Sequence, residues 1–515
     1  MPAWFDSAEG PPYDSRRLVG TGVSWPIPVT FRDGALGTNG ARGGSVKIAQ
    51  RKGVGMRTEE ELELVRVGPG TPSGEVFRRY WLPVEVSANL GGGRGGNQSV
   101  GALNPIKVTM LNEHLILFRG SDGTPHLLAE HCSHRGTSLS YGRVEGDCIR
   151  CIYHGWLYDG DGNVVEMPGE PPESRFHEKV QHPSYPCIEV AGLIFAYMGP
   201  QALMPVFPKY HQLFSDEGVR VPGNGGYTEH CNVFQAMHDN NLDPWHGEIL
   251  HGWYRESPRP NSMHWGGDGE PPTPVKFERT PWGTRMAVLK TRGEKPNGYQ
   301  YHETHTVWPT QRCNFADARS IKWAIPVDDI HTRWFTLDYY PLNGDGSVSR
   351  AAQKAIENMN SPILNIGRAP RDLPRDWAQQ IGSWWNYGHP WRQGNVWEDE
   401  VAQQTQSLCH VCDTPHLDDN FPDFDRFHLG TSDEGFLLNR KVWREQMINV
   451  KEGLDPIGVQ RDPSIRTAAD AVQAAKDLIR ITSDDIDHLT WDEGMRLFNM
   501  TPEERIEMVA AQPGR

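Results

Sequence analysis

Cys132-Ser133-His134-Arg135-Gly136 and Cys151-Ile152-Tyr153-His154-Gly155-Trp156 decide how the first half of this chain folds. Each run offers one thiolate and one imidazole on a tight loop, and sixteen residues separate His134 from Cys151. Two thiolates suit one iron of a [2Fe–2S] cluster, and two neutral imidazoles suit the other. Exchanging thiolate for imidazole raises the potential above that of an all-cysteine cluster. The competing reading is a structural Cys2His2 zinc site. Gly136 and Gly155 favour the cluster, because a residue without Cβ lets backbone N–H groups approach cluster sulfurs. Cys148 and Cys151 also form a metal-like C-x-x-C. Cys148 breaks the paired logic and reads as a packed or surface thiol.

Around these loops the chain is β-patterned. Val108, Met110 and Leu115-Ile116-Leu117-Phe118 are short strand-like runs, broken by Asn112-Glu113 and Gly120-Ser121-Asp122-Gly123. Gly68 to Gly74 reads as a turn cluster, and Leu193 to Met198 as a buried strand. Dense Pro/Gly punctuation over 68–200 predicts a small, turn-rich β domain. Gly91 to Gly96 opens no helix after a strand, so it is no phosphate loop.

The chain has 515 residues, which predicts two domains plus extensions. Its net charge is 51 − 66 = −15, against nucleic-acid binding and suited to solubility or a basic partner. No apolar run approaches the roughly 20 residues of a membrane span, and no signal-peptide h-region is visible. The expected location is the cytoplasm, with the eight cysteines reduced. Eighteen Trp can build a core, line an apolar pocket, or both. Residues 1–55 hold ten Gly and five Pro, and read either as a disordered extension or as sequence upstream of a start at Met56.

A second constellation is Asp239-Asn240-Asn241-Leu242-Asp243-Pro244-Trp245-His246-Gly247-Glu248-Ile249-Leu250-His251. Asp243 and His246 share a helix face. His246 and His251 lie five apart, so both reach one metal only if the helix ends or distorts between them, as Gly247 permits. Two His and one distant carboxylate make the facial triad of a non-haem Fe(II) oxygenase. Val396-Trp397-Glu398-Asp399-Glu400, 148 residues after His251 when counted to Asp399, offers three candidate carboxylates. Chemistry alone does not choose among Glu398, Asp399 and Glu400. His238 reads as structural or supporting. Phe234 and Met237 are candidate pocket residues.

Between about 201 and 455 the pattern is mixed. Arg285 to Lys290, Ser320 to Ile325 and Trp334 to Leu337 read as strands; Ala351 to Asn360 and Glu398 to Leu408 read as helices. An α+β class with an antiparallel sheet follows. The tail is helical, with Ile465, Ala468, Val472, Ala475 and Ile479 on one face. The expected division is 1–55 extension, 56–200 cluster domain, 201–455 mononuclear iron domain and 456–515 helical tail.

With both constellations in hand, residues 56 to 450 resemble the Rieske non-haem iron aromatic-ring oxygenases, within them the oxygenase (alpha) components similar to phthalate 4,5-dioxygenase. Cys132-x-His134…Cys151-x-x-His154 and Asp243-x-x-His246-x-x-x-x-His251 carry most of the likeness. Gly68-Pro69-Gly70-Thr71-Pro72 with Tyr80-Trp81, and His428 to Asp433, add to it. The resemblance implies a β-rich [2Fe–2S] domain on a helix-grip catalytic domain. It implies Fe(II) held by His246, His251 and Asp399, and Asp243 as the bridge from His246 to His154 across a trimer or stacked-trimer interface. A carboxylate on the second N–H of a metal-bound imidazole agrees with that role. A separate flavin or [2Fe–2S] reductase would bring electrons from NAD(P)H, since no dinucleotide motif is apparent. With O2 as co-substrate, the outcome would be hydroxylation, dihydroxylation or O-demethylation of a benzoate-, phthalate- or aryl-ether-like compound, placing the enzyme in aromatic catabolism. The rivals are a non-catalytic electron carrier and a zinc-stabilised binding protein. Asp239 has no assigned role, and Cys409-x-x-Cys412 reads as a chance pair.

Overall fold

The computed structural model describes residues 59–91, 104–223, 227–229, 231–246, 273–291, 298–314, 320–359, 403, 429–462 and 489–511. The turn cluster at 68 ends sooner than its composition suggests. Thr71 accepts the Gly74 N–H on Oγ1 at 3.2 Å and starts a helix, Pro72–Phe77. Pro72 lacks an N–H where a first helical turn has no use for one.

Residues 81–197 form three small antiparallel sheets. Trp81–Val86, Leu193–Tyr197 and Cys187–Val190 make one. Ile106–Met110, Glu113–Arg119, Pro125–Ala129 and Ser184–Tyr185 make the second, and Arg143–Glu145, Cys148–Arg150, Leu157–Tyr158 and Val164–Glu166 the third. Leu193–Tyr197 is buried along its whole length, as its unbroken apolar run predicts.

The largest sheet has, among the described residues, eight antiparallel strands: β1 Gly218–Pro222, β2 Tyr227–Glu229, β3 Val275–Thr280, β4 Gly283–Thr291, β5 Tyr299–Val307, β6 Gln311–Asn314, β7 Ser320–Pro326 and β8 Thr332–Pro341. The order is β1-β8-β7-β6-β5-β4-β3, with β2 also pairing β8. Two-residue periodicity divides the residues of β5 between its faces. On one face Thr306 takes a hydrogen bond from Asn241, at 2.6 Å, and so faces the segment of the second constellation. Helix Glu434–Lys451 packs on the same side: Asn439 accepts from Thr284 at 2.6 Å and donates to the His238 carbonyl at 2.5 Å. A Cβ at Gly435 would stand 2.3 Å from the Leu242 carbonyl, so only glycine lets this helix approach. Trp443 is fully buried against Phe77 and Phe234, with ring centroids at 4.8 and 5.0 Å, and donates to Ser73 Oγ at 2.7 Å. This is the α+β, helix-gripping sheet the sequence implies.

The opposite face of β4 and β5 carries Arg285, Tyr301, Glu303 and His305, all buried. Glu303 Oε2 accepts from Arg505 at 2.9 Å and Tyr301 at 2.8 Å, and is ion-paired with Arg285 at 3.1 Å. Burial alone would raise the Glu303 carboxyl; Arg505, His305 and Arg285 outweigh it and hold it well below the usual range. Arg505 comes from helix Pro502–Ala510, which with Trp491–Asn499 covers this face. Both helices begin with a capping box, Thr490 with Glu493 and Thr501 with Glu504.

Candidate metal centres

The two cluster loops share one backbone form. Cys132 N–H donates to the Thr137 carbonyl and Cys151 N–H to the Trp156 carbonyl, both at 2.9 Å. Gly136 N–H closes back on the Cys132 carbonyl at 2.9 Å, and Gly155 N–H on the Cys151 carbonyl at 3.1 Å. Both glycines adopt the left-handed region, with φ of +75° and +76°. Their role is therefore to turn the loop, not to send their own N–H to a sulfur. The groups aimed at the Cys151 sulfur are the N–H of Tyr153 and His154.

Thiol meets thiol and imidazole meets imidazole. Burial pushes the Cys151 thiol up, the two backbone N–H groups oppose that, and a hydrogen bond with Cys132 adds to it. The His134 and His154 rings lie 4.5 Å apart, and Trp156 stacks on His134 at 4.6 Å and 7°. Among the described residues no three His, Cys, Asp or Glu converge on one metal position. Pairs of two are what each iron of a two-iron cluster takes from protein, so the donor set fits. Tyr158 Oη stands 3.0 Å from Cys132 Sγ. His182, fully buried, donates through Nε2 to the Ala129 carbonyl at 2.9 Å; its Nδ1 accordingly accepts from Ser133 Oγ at 2.7 Å. This fastens the first loop between its two ligands. Cys148 lies half-buried on strand Cys148–Arg150, paired with Glu145.

The second constellation is broken before its histidines. The segment is π-helical over Phe234–His238, returns to α over Asp239–Asn241, and breaks at Leu242. Asp243 is thus not on the same helix face as His246; it caps the turn that carries it. Asp243 Oδ1 accepts the Trp245 and His246 N–H groups at 2.9 and 3.2 Å, and Pro244 fills the first helical position. Oδ2 faces His246 Nδ1 at 3.6 Å. Burial pushes the Asp243 carboxyl up, but His246 and the two N–H groups pull harder and hold it low. Its side chain is 38% exposed.

Asp239 gains a role that its local sequence does not show. It receives a two-pronged ion pair from Arg440, with Nε at 2.9 Å from Oδ1 and the second nitrogen on Oδ2. Burial still pushes its carboxyl up to about 6, against the pull of Arg440. His238 is a core residue: it is 1% exposed, it donates through Nε2 to the Pro309 carbonyl at 2.8 Å, and burial holds it down to about 3. Phe234 and Met237 are core as well, which corrects their reading as pocket residues. The apolar wall beside the capped turn is Leu242 and Trp245 over Met286, Val288, Val275 and Phe277. His251, Glu398, Asp399, Glu400, Cys409 and Cys412 lie outside the described residues.

A family model, the Rieske [2Fe-2S] domain, matches residues 95–186. The phenoxybenzoate dioxygenase subunit alpha of Ectopseudomonas oleovorans is 30% identical over 441 residues, covering 81% of this chain and 94% of its own. The 3-chlorobenzoate-3,4-dioxygenase oxygenase subunit of Comamonas testosteroni is 38% identical over 351 residues, 66% of this chain and 74% of the relative. The phthalate 4,5-dioxygenase oxygenase subunit of Pseudomonas putida is 32% identical over 299 residues, 54% and 63% of the two chains.

Proposed function

Because this chain belongs to the Rieske non-haem iron oxygenases, we propose that it is the terminal oxygenase of a system that hydroxylates, dihydroxylates or O-demethylates an aromatic acid or aryl ether. The observation that carries the reading is the pairing of Cys132 with Cys151 and of His134 with His154, in a chain whose relatives act on phenoxybenzoate, chlorobenzoate and phthalate. When bound, the cluster supplies single electrons and the mononuclear iron activates O2.

The protein's own contribution is positional. Cys132 and Cys151 hold one cluster iron, and His134 and His154 the other. His246, His251 and Asp399 hold the mononuclear iron. Asp243 fixes His246 by facing its Nδ1, which leaves Nε2 for the metal. Leu242, Met286 and Val288 form a buried apolar cluster, with Trp245 packed on it, that keeps water from the back of the capped turn.

Electrons come from NAD(P)H through a separate reductase carrying flavin, [2Fe–2S] or both. Ile152 and Tyr153, 61% and 57% exposed on the His154 loop, suit an interface with a second copy of this chain. A homotrimer or stacked trimers would set that face against the half-exposed Asp243 of a neighbour. The assigned divisions are 56–200 for the cluster domain, 201–455 for the catalytic domain and 456–515 for the tail, after a 1–55 extension. No helix among the described residues is long and apolar enough to cross a membrane; the proposed location is the cytoplasm.

Metal and sulfide analysis tests the reading together with an oxygen-uptake screen over aromatic acids and ethers with a surrogate reductase. About three iron per two acid-labile sulfide is expected. His246→Ala keeps the cluster's visible spectrum and abolishes oxygen insertion. Zinc alone, or full activity in His246→Ala, overturns it.

A further inference from the structure

Tyr158 Oη faces the Cys132 sulfur at 3.0 Å, and the same oxygen accepts the Ser133 backbone N–H. The phenol is fully buried, so its aim at the sulfur depends on what packs around it. Ser133, the residue between Cys132 and His134, is held in turn by His182. Its Oγ donates to His182 Nδ1 at 2.7 Å, and the imidazole lies against the Tyr158 ring, with centroids 4.6 Å apart and planes at 40°. One side chain thus touches both parts of the contact at Cys132: the phenol ring, and the loop residue whose N–H meets the phenol oxygen.

His182 is itself fixed at every polar atom of its ring. It is fully buried, and burial holds its pKa below the ordinary histidine value, so the ring is neutral. Nε2 donates to the Ala129 carbonyl at 2.9 Å, which commits Nδ1 to accepting. The backbone is held as well: His182 N–H donates to the Gly162 carbonyl and Ala129 N–H to the Pro183 carbonyl, both at 2.9 Å. Gly162 has φ of +82°, and a Cβ there would stand 2.1 Å from the His182 carbonyl oxygen, so only glycine lets the turn before Val164–Glu166 close on this residue. His182 therefore ties strand Pro125–Ala129 of the second small sheet to a turn of the third. A hydrogen bond weakens steeply as its angle opens, and a phenol on a loop sulfur needs such a mount.

We propose that His182 is a positioning residue for the cluster: through Ser133 and its own ring it holds the Tyr158 hydroxyl on Cys132, and so sets the reduction potential. This rests on the assignment of Cys132 as a cluster ligand under the proposed function.

Redox titration of the cluster-loaded protein, followed by its visible spectrum, tests this as a double-variant cycle. Ser133→Ala removes the hydroxyl and keeps the backbone N–H. His182→Gln keeps a donor for the Ala129 carbonyl and loses the ring. Each should shift the cluster's equilibrium toward the oxidised form by about twofold to fivefold at a fixed solution potential, the upper figure matching loss of a whole hydrogen bond. Ser133→Thr keeps the hydroxyl and should titrate as the parent does. In a Tyr158→Phe background neither Ser133→Ala nor His182→Gln should shift the equilibrium further. An unshifted titration of Ser133→Ala overturns the proposal. So does a full shift retained in the Tyr158→Phe background, which would mean that His182 acts on the cluster without the phenol. If His182→Gln holds no cluster, Ser133→Ala, which differs by one hydroxyl, decides alone. A parent protein without a cluster spectrum would instead remove the ligand assignment itself.

Discussion

Asp243 uses its two carboxylate oxygens for two tasks: Oδ1 takes the N–H groups of Trp245 and His246 at 2.9 and 3.2 Å, and Oδ2 faces the His246 ring at 3.6 Å. The first task builds the turn and the second serves the imidazole. Asn caps a helix about as well as Asp, so Asp243→Asn separates them. Both metals should stay bound while electrons stop passing between them. A pre-reduced Asp243→Asn protein that turns over once at the normal rate would remove the bridging role. Asp243→Ala should in addition lose about 1 kcal/mol of cap stability.

Tyr158 Oη lies 3.0 Å from Cys132 Sγ. With the cysteine ionised as a cluster ligand, the phenol must be the donor, and it stabilises the more negative, reduced state. Tyr158→Phe should lower the cluster potential by on the order of 40 mV, the one-electron equivalent of about 1 kcal/mol. Protein-film voltammetry measures this directly, and an unchanged potential would refute it.

Buried His238 is neutral in the fold, with its pKa held down to about 3. The unfolded chain takes up that proton near pH 6.5. Above about pH 6.5 the contribution is whole. As pH falls from there toward 3 the unfolded state gains the proton first, and stability drops by up to about 1.4 kcal/mol per pH unit. Gln at this position keeps an N–H for the Pro309 carbonyl without the titration. Urea unfolding at about pH 6 and pH 4 should show a steeper loss in the parent than in His238→Gln; parallel losses would contradict it.

Asp239 and Arg440 form a part-buried pair. Removing one partner strands the other, so Asp239→Asn and Arg440→Met should each cost about 3 kcal/mol or more. The double variant Asp239→Asn/Arg440→Met should recover much of the loss. Additive single losses in denaturant titrations would mean that the two side chains are energetically independent.

The cluster loops were legible because their ligands, glycines and closing hydrogen bonds fall within a few residues of one another. Asp239 was not, because Arg440 lies 201 positions away. Strand Tyr299–Val307 escaped notice for a similar reason. Its polar run, with Glu303, Thr304, His305 and Thr306, reads as surface until the distant Arg505 neutralises Glu303. Phe234 and Met237 were misplaced because apolar residues on a functional helix serve the core as readily as the pocket. The threonine-led helix starts at Thr490 and Thr501 were visible in the sequence as T-x-x-E and could have been read. Near Asp243 the pattern suggested one helix; the cap came from the Asp-Pro step, which favours a new helix start over continuation.

The Glu303–Arg505 contact spans 202 positions, and that separation has a temporal meaning. A ribosome adding about 5–20 residues per second makes Arg505 roughly 10–40 seconds after Glu303. During that interval strand β5 has emerged with an acidic residue and no cation from the tail to meet it. The back of the catalytic sheet therefore cannot close until the tail that carries Arg505 has been made.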